Sequence, residues 1–450
     1  MKIPELLCPA GTYKNMQYAF AYGADAVYAG QPRYSLRVRN NDFTMENLQK
    51  GIVEAHQQGK KFYVASNISP HNAKLKTYLS DMAPIVEMEP DALIMADPGL
   101  IAMVQEKWPE QTIHLSVQAN TVNYAAVKFW HSVGIKRVIL SRELSLDEIE
   151  EIKQRCPEME LEVFVHGALC IAYSGRCLLS GYFNHRDPNQ GTCTNSCRWD
   201  YKTHQTEETD TGDVIKAAGV VQYDPKLELS KLSPTKDVPS DEVILIEEAN
   251  RPGELMPMFE DEHGTYIMNS KDLRAIQHVQ RLTEIGIDSL KIEGRTKSHY
   301  YTARTAQIYR QAIEDVIDKK PFDMELMSAL DGLANRGYTE GFYRRHVPEE
   351  YQNYEQGSSV STKQKFVGEV VAFDASTGKL SIDVKNKFAV GDSLEFMFPG
   401  GSKHFILGGM EDLKGNDLSV AKGSGYRVRI DSPINTLLDS SELGLLMINM

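Results

Sequence analysis

The chain has 450 residues and a formal net charge of −13, with 42% of its residues hydrophobic and 25% charged. These values fit a globular chain of two or three domains, and they exclude a protein that coats nucleic acid through a general positive field. No apolar run is long enough to span a bilayer and the first residues do not resemble a signal peptide, so a cytoplasmic protein without membrane association is expected.

Along the first three hundred positions, short apolar runs rich in β-branched residues alternate with segments of helical period. That alternation predicts parallel β/α units. Strands are expected at Glu5–Ala10, Asp25–Gly30, Lys61–Asn67, Ala92–Asp97, Ile113–Ala119, Arg137–Ser141, Leu161–His166 and Ser289–Glu293. Eight strands close a TIM-type (β/α)8 barrel. Helical spacing shows at Met45, Leu48, Ile52 and Val53, and again at Leu146, Ile149 and Ile152, where Ser145 and Glu148 form a capping box. The catalytic barrel is expected over residues 1–320, with an insertion of about residues 168–288 between its seventh and eighth strands, far longer than an ordinary connection. A connector over 321–361 leads to short alternating runs at 362–450, which predict a small C-terminal β-barrel domain.

The insertion opens with Cys170, Cys177, Cys193 and Cys197, separated by six, fifteen and three residues. Soft thiolates that converge in this way suit an iron–sulfur cluster or zinc. The gaps are looser than the tight knuckles of structural zinc, which favours a four-iron (4Fe–4S) cluster with zinc as the alternative metal. Insertions after a barrel strand lie at its C-terminal mouth, where the chemistry of such barrels sits. Polar residues end or follow nearly every expected strand: Arg33, Arg37 and Arg39, then Asn67 and His71, Asp97, Gln118 and Asn120, Ser141, Arg142 and Glu143, His166, and Glu293 with Arg295. A mouth lined with arginines suits a substrate that bears two or more carboxylates or phosphates. We read His166, Arg142 and Glu293 as candidate catalytic residues, and Arg37, Arg39, Asn67, His71, Gln118 and Arg295 as candidate substrate-binding residues. No H-E-x-x-H, G-x-S-x-G, P-loop or dinucleotide-binding pattern is present.

Glu162, Phe164, Gly167, Ala168, Leu169, Cys170, Gly175, Cys177, Leu179 and Ser180 stand as in the signature of peptidase family U32, the collagenase-like peptidases. The segments PELLCPAGTYKNMQYAFAYGADAVYAGQPRYSLRVRNN, FVHGALCIAYSGRCLLSGYFNHRDPNQGTCTNSCRW and SLKIEGRTKSHYYTARTAQIYR resemble the bacterial branch of that family that hydroxylates tRNA uridine 34 with prephenate. The resemblance implies oxygen-independent 5-hydroxylation of the wobble uridine to 5-hydroxyuridine, with prephenate as co-substrate and hydroxyl source. It further implies an iron–sulfur cluster on Cys170, Cys177, Cys193 and Cys197, the anticodon loop of tRNA as partner, and an electron donor. Prephenate is a dicarboxylate, so Arg37, Arg39 and Arg142 are its expected anchors. The chain's acidity requires a local basic face for RNA, expected from Arg295, Lys297, Arg304, Arg344 and Arg345, with Tyr34, Tyr300 and Tyr301 as a stacking platform. A collagenase-like protease and a non-catalytic, metal-bearing RNA-binding factor are the alternative readings.

Overall fold

The computed structural model describes residues 2–31, 33–35, 43–68, 70–168, 271–335, 337–344, 364–434 and 443–449, and between 201 and 267 the backbone of several strands. Eight parallel strands close on themselves: β1 (Glu5–Pro9), β2 (Ala26–Gly30), β3 (Lys61–Ser66), β4 (Ala92–Met95), β5 (Ile113–Leu115), β6 (Arg137–Ile139), β7 (Glu160–Ala168) and β8 (Ser289–Ile292). The ring closes through the parallel pairing of β8 with both β1 and β7. Seven of the strands lie within one or two residues of their expected places, whereas the fifth, expected at Ile113–Ala119, ends at Leu115 because Val117–Ala119 turns as a short 3-10 helix.

Between the strands run α1 (Tyr13–Ala21), α2 (Met45–Gln57), α3 (Asn72–Val86), α4 (Pro98–Lys107), α5 (Tyr124–Ser132), α6 (Leu146–Arg155) and α7 (Val279–Ile285), with α8 (His299–Ile317) after β8. Side chains fix where they start. Thr12, Thr44, Asp97, Asn123, Ser145 and Ser298 each accept from a backbone N–H in the first turn, and the Ser145–Glu148 capping box is complete. In α2 the buried face is Leu48, Gly51, Ile52 and Ala55, whereas Val53 is exposed. Gly51 lets the helix approach β3, because a Cβ there would sit 3.0 Å from the Phe62 ring.

The insertion separates β7 from β8. Its described strands include an antiparallel sheet in the order Gly264–Ile267, Leu255–Asp261, Ile244–Glu248, Tyr201–His204, and then Asp272–Arg274, which pairs antiparallel with the end of β7.

The C-terminal residues form a seven-stranded antiparallel sheet in the order Gly401–Ile406, Ser393–Phe398, Leu445–Asn449, Gln364–Asp374, Lys379–Val384, Arg427–Asp431, Glu411–Asp412, beside a two-stranded ribbon. Val367, Ile382, Phe388, Phe396, Val428 and Leu446 build a core of their own. The module docks on α1 and α8. Tyr22 donates to the carbonyls of Met397 (3.1 Å) and Leu443 (2.9 Å), Tyr300 stacks on Phe366, and Arg304 meets Glu395 at 2.7 Å with both side chains buried.

Glu369 of the module accepts from Lys14 (2.6 Å) and lies 2.9 Å from the His299 ring nitrogen of the barrel. His299 first, and Lys14 beside it, hold the Glu369 carboxyl below its ordinary range. A depressed carboxylate contributes stability that is complete above its unfolded value and is lost as pH falls through its lower folded value. Glu369→Gln is therefore expected to lower the urea midpoint at neutral pH, with the difference from the parent chain shrinking in acid.

Candidate active site

The barrel interior is ionic from its floor upward. At the N-terminal end Arg137 reaches Glu5 (2.6 Å), Glu160 (2.9 Å) and Glu162 (3.2 Å). Tyr63 donates to Glu5 (2.7 Å) and packs on His114. Burial raises the Glu5 carboxyl, but Arg137 together with Lys61 and Tyr63 outweighs it and the net shift is downward. Burial drives His114 far below its ordinary value, so this ring is neutral. One layer higher, Lys291 donates to Glu162 at 2.7 Å and lies 4.3 Å from the Tyr28 ring centroid and 5.5 Å from that of Phe164. Burial lowers the Lys291 ammonium against the pull of Glu162.

Above this column the strand ends form two walls. The charged wall joins β6, β8 and β2. The Arg142 guanidinium sits 3.7 Å from the Phe164 ring centroid and 3.6 Å from the Glu293 carboxylate. Tyr28 donates to that carboxylate (3.3 Å) and to the Ile292 carbonyl (3.1 Å). Arg295 donates to Ser35 at 2.7 Å and fills the space over Gly30, where a Cβ would come within 2.3 Å of its guanidinium. On this wall the two cations Arg142 and Arg295 stand with one carboxylate, Glu293, and lie over the Phe164 and Tyr28 rings, while Lys291 below them shares Glu162 with Arg137. The Arg142–Glu293 separation is longer than a hydrogen bond, which leaves the guanidinium able to engage an incoming carboxylate.

The second wall is neutral. Asn67, beyond β3, donates to Gln118 (3.1 Å) and Ser116 (3.5 Å), both beyond β5, and Ser116 also donates to the Gln118 carbonyl. Because β4 lies between β3 and β5, a contact that skips it sits on the lumen side of the mouth.

The structure thus brings together Arg142, Glu293 and Arg295, and separately Asn67 and Gln118. His71 is exposed at the start of α3, and Asp97 caps α4. Arg33 pairs with Asp81 at 2.6 Å. His166 stands apart from both walls. The β7–β8 register skips Val165, a bulge that ends the alternation carrying Glu162 and Phe164 into the lumen. The His166 ring is enclosed by Tyr301, Tyr309 and Tyr338, and burial pushes it down to about 3. Gly167 (φ +104°) makes the close crossing possible, since a Cβ would lie 2.3 Å from the Glu293 carbonyl oxygen.

The expected stacking platform is corrected. Tyr34, Tyr300 and Tyr301 are buried: Tyr34 bonds Asp81, Tyr300 stacks on Phe366, and Tyr301 donates to the Glu293 carbonyl. Arg304 leaves the expected basic face for the same reason, being buried against Glu395. Cys170, Cys177, Cys193, Cys197, Arg37, Arg39 and Arg345 lie outside the described residues. Cys8 and Cys156 are buried thiols that burial pushes upward, away from the thiolate form. Among the described residues no three His, Cys, Asp or Glu side chains converge to hold a metal, and no helix is long and apolar enough to cross a membrane.

The sequence reading missed Glu5, Tyr28, Ser116, Glu162 and Lys291 as members of the lumen and mouth. Two of them carried a signal. Alternation in ELEVF and SLKIE places Glu162 beside Phe164, and Ser289 beside Lys291, on one face.

The sequence pattern described as Peptidase family U32 matches residues 11–353, and that of the Peptidase family U32 C-terminal domain matches 362–440. The chain is 63% identical over 432 residues to "tRNA hydroxylation protein P" of Escherichia coli (strain K12), covering 96% of this chain and 94% of that protein. It is 58% identical over 432 residues to the Haemophilus influenzae protein of the same name, covering 96% and 93%. The Helicobacter pylori (strain J99) protein of that name is 37% identical over 359 residues, covering 79% and 75%.

Proposed function

The chain belongs to peptidase family U32, and from that premise we propose that it is a tRNA hydroxylase of the cytoplasm that converts the wobble uridine to 5-hydroxyuridine with prephenate as hydroxyl source. The observation that supports this most is identity of 63% across 96% of the chain to a protein named for tRNA hydroxylation. The barrel mouth agrees in chemistry: it offers a cationic wall for a carboxylate and an amide wall for a neutral polar group.

Cys170, Cys177, Cys193 and Cys197 would hold a 4Fe–4S cluster, four soft thiolate donors being the set such clusters take. When bound, the cluster supplies electron transfer. The other work falls to the chain's own residues. Arg142 binds a carboxylate of prephenate, with Arg37 and Arg39 as partners for the second. Phe164 holds the Arg142 guanidinium flat, and Glu293, steadied by Tyr28, is the group that can take or return a proton at the mouth. His166, neutral and enclosed, positions the end of β7, from which the cysteine segment departs four residues later.

Arg142→Ala is expected to raise the KM for prephenate in tRNA hydroxylation by roughly 10-fold or more, the worth of a charge-assisted pair, while thermal unfolding changes little. An unchanged KM would remove Arg142 as an anchor.

A further inference from the structure

The amide wall carries more information than its polarity. The Gln118 side-chain carbonyl is occupied by Asn67 Nδ2 and Ser116 Oγ, so the amide cannot flip without losing both bonds. That arrangement fixes which end is which. The carbonyl is taken by Asn67 and Ser116, and the NH2 of this half-buried residue donates to no described residue, which leaves it available as a donor. Asn67 and Ser116 are buried, so the donor stands on a rigid support rather than on a loose side chain.

In the segments that follow β5 and β6, two more polar groups lack partners among the described residues. Thr121 and Ser141 are 1% and 4% exposed, and both hydroxyl oxygens go without a hydrogen bond. The two residues are joined by a backbone bond from Ser141 N to Thr121 O of 3.2 Å. Buried hydroxyls without partners are costly unless a ligand or water completes them. A fixed amide donor, with one hydroxyl three residues further along the same segment and a second joined to it by a backbone bond, is a set that reads the polar edge of a planar heterocycle.

Resting on the functional reading above, we infer that Gln118, locked by Asn67 and Ser116, donates to the C4 carbonyl of the target uracil and so rejects cytosine, with Thr121 and Ser141 completing the base's polar edge. Uracil presents an acceptor at C4, whereas cytosine presents an amino donor there. A donor facing a donor leaves both unpaired in a dry site, which is why a single fixed amide can discriminate strongly. Asn67 and Ser116 are positioning residues in this arrangement, and Gln118 is the specificity determinant.

The test compares binding of two anticodon stem–loop RNAs, identical except for uridine or cytidine at the wobble position, to the full chain and to its Gln118→Glu and Gln118→Ala variants. The parent chain is expected to prefer uridine by about 10-fold or more. Gln118→Glu, nearly isosteric but an acceptor, is expected to abolish or invert that preference, and Gln118→Ala to reduce it. Thermal unfolding of both variants should stay close to the parent, since a structural defect would weaken both RNAs alike and leave their ratio intact. An unchanged uridine-to-cytidine ratio in both variants, or no preference in the parent, overturns the assignment of Gln118. Failure of the parent to bind either RNA overturns the functional reading and this inference with it.

Discussion

Alanine at Cys170, Cys177 or Cys193 is expected to remove hydroxylated uridine from tRNA almost completely while the barrel still unfolds at its normal temperature. Changes in the outer shell of a metal site alone cost about 10- to 100-fold, so loss of a direct thiolate ligand is expected to cost more. Anoxic purification followed by iron, sulfide and zinc analysis gives the matching chemical readout: iron and sulfide near four per chain in the parent, depleted in each variant. Cys197→Ala should behave in the same way if it is the fourth ligand. Cys156→Ala is the control, because that thiol is buried at the end of α6 with its Sγ bonded to the Tyr124 carbonyl at 3.5 Å, remote from the mouth. Stoichiometric zinc without sulfide would remove the electron-transfer role and favour a metal-bearing RNA-binding factor.

Arg137→Met is expected to be the most destabilising single change in the barrel. Its guanidinium satisfies three carboxylates, of which Glu5 and Glu162 are almost wholly enclosed. Breaking a buried ion pair by removing one partner typically costs about 3–5 kcal/mol, because the charge left behind has lost both water and its counter-ion. A urea titration would read this as a large fall in midpoint at neutral pH. The sign of its pH dependence is fixed by Glu5. With Arg137 present the Glu5 carboxyl is depressed, so its contribution is lost as pH falls through the folded value. Without Arg137, burial raises the same carboxyl and protonation relieves the uncompensated charge. The deficit of the variant is therefore expected to narrow between pH 7 and pH 4. A deficit independent of pH would mean that the lost methylene packing of Arg137, rather than its charge, supports the floor of the barrel.

The eight barrel strands were legible because each is a short apolar run and the intervening helices keep their own period, two signals local to a few residues. Helix starts were legible for the same reason: Ser145 and Glu148 bond each other across three positions. What stayed hidden depends on partners far apart in the chain. Glu5 and Arg137 meet only once strand register brings β1 and β6 around a closed ring. Tyr300 and Arg304 read as surface groups until the C-terminal module is seen to cover α8, where Phe366 and Glu395 await them. His166 continues the alternation of Glu162 and Phe164 in sequence, yet the extra residue Val165 sends it among the tyrosines. Such a bulge depends on hydrogen bonding between strands that are more than a hundred residues apart. Of the candidate site residues, Arg142, Glu293 and Arg295 came together at one wall, as did Asn67 and Gln118 at the other.

The most direct test of tRNA hydroxylation is nucleoside mass spectrometry of bulk tRNA from a bacterium lacking its own U32 tRNA hydroxylases, with and without this chain expressed. Appearance of 5-hydroxyuridine or its further derivatives at the wobble position, dependent on the chain and on a cell able to make prephenate, is the predicted result. tRNA with the same nucleoside content whether or not the folded chain is present would contradict the account.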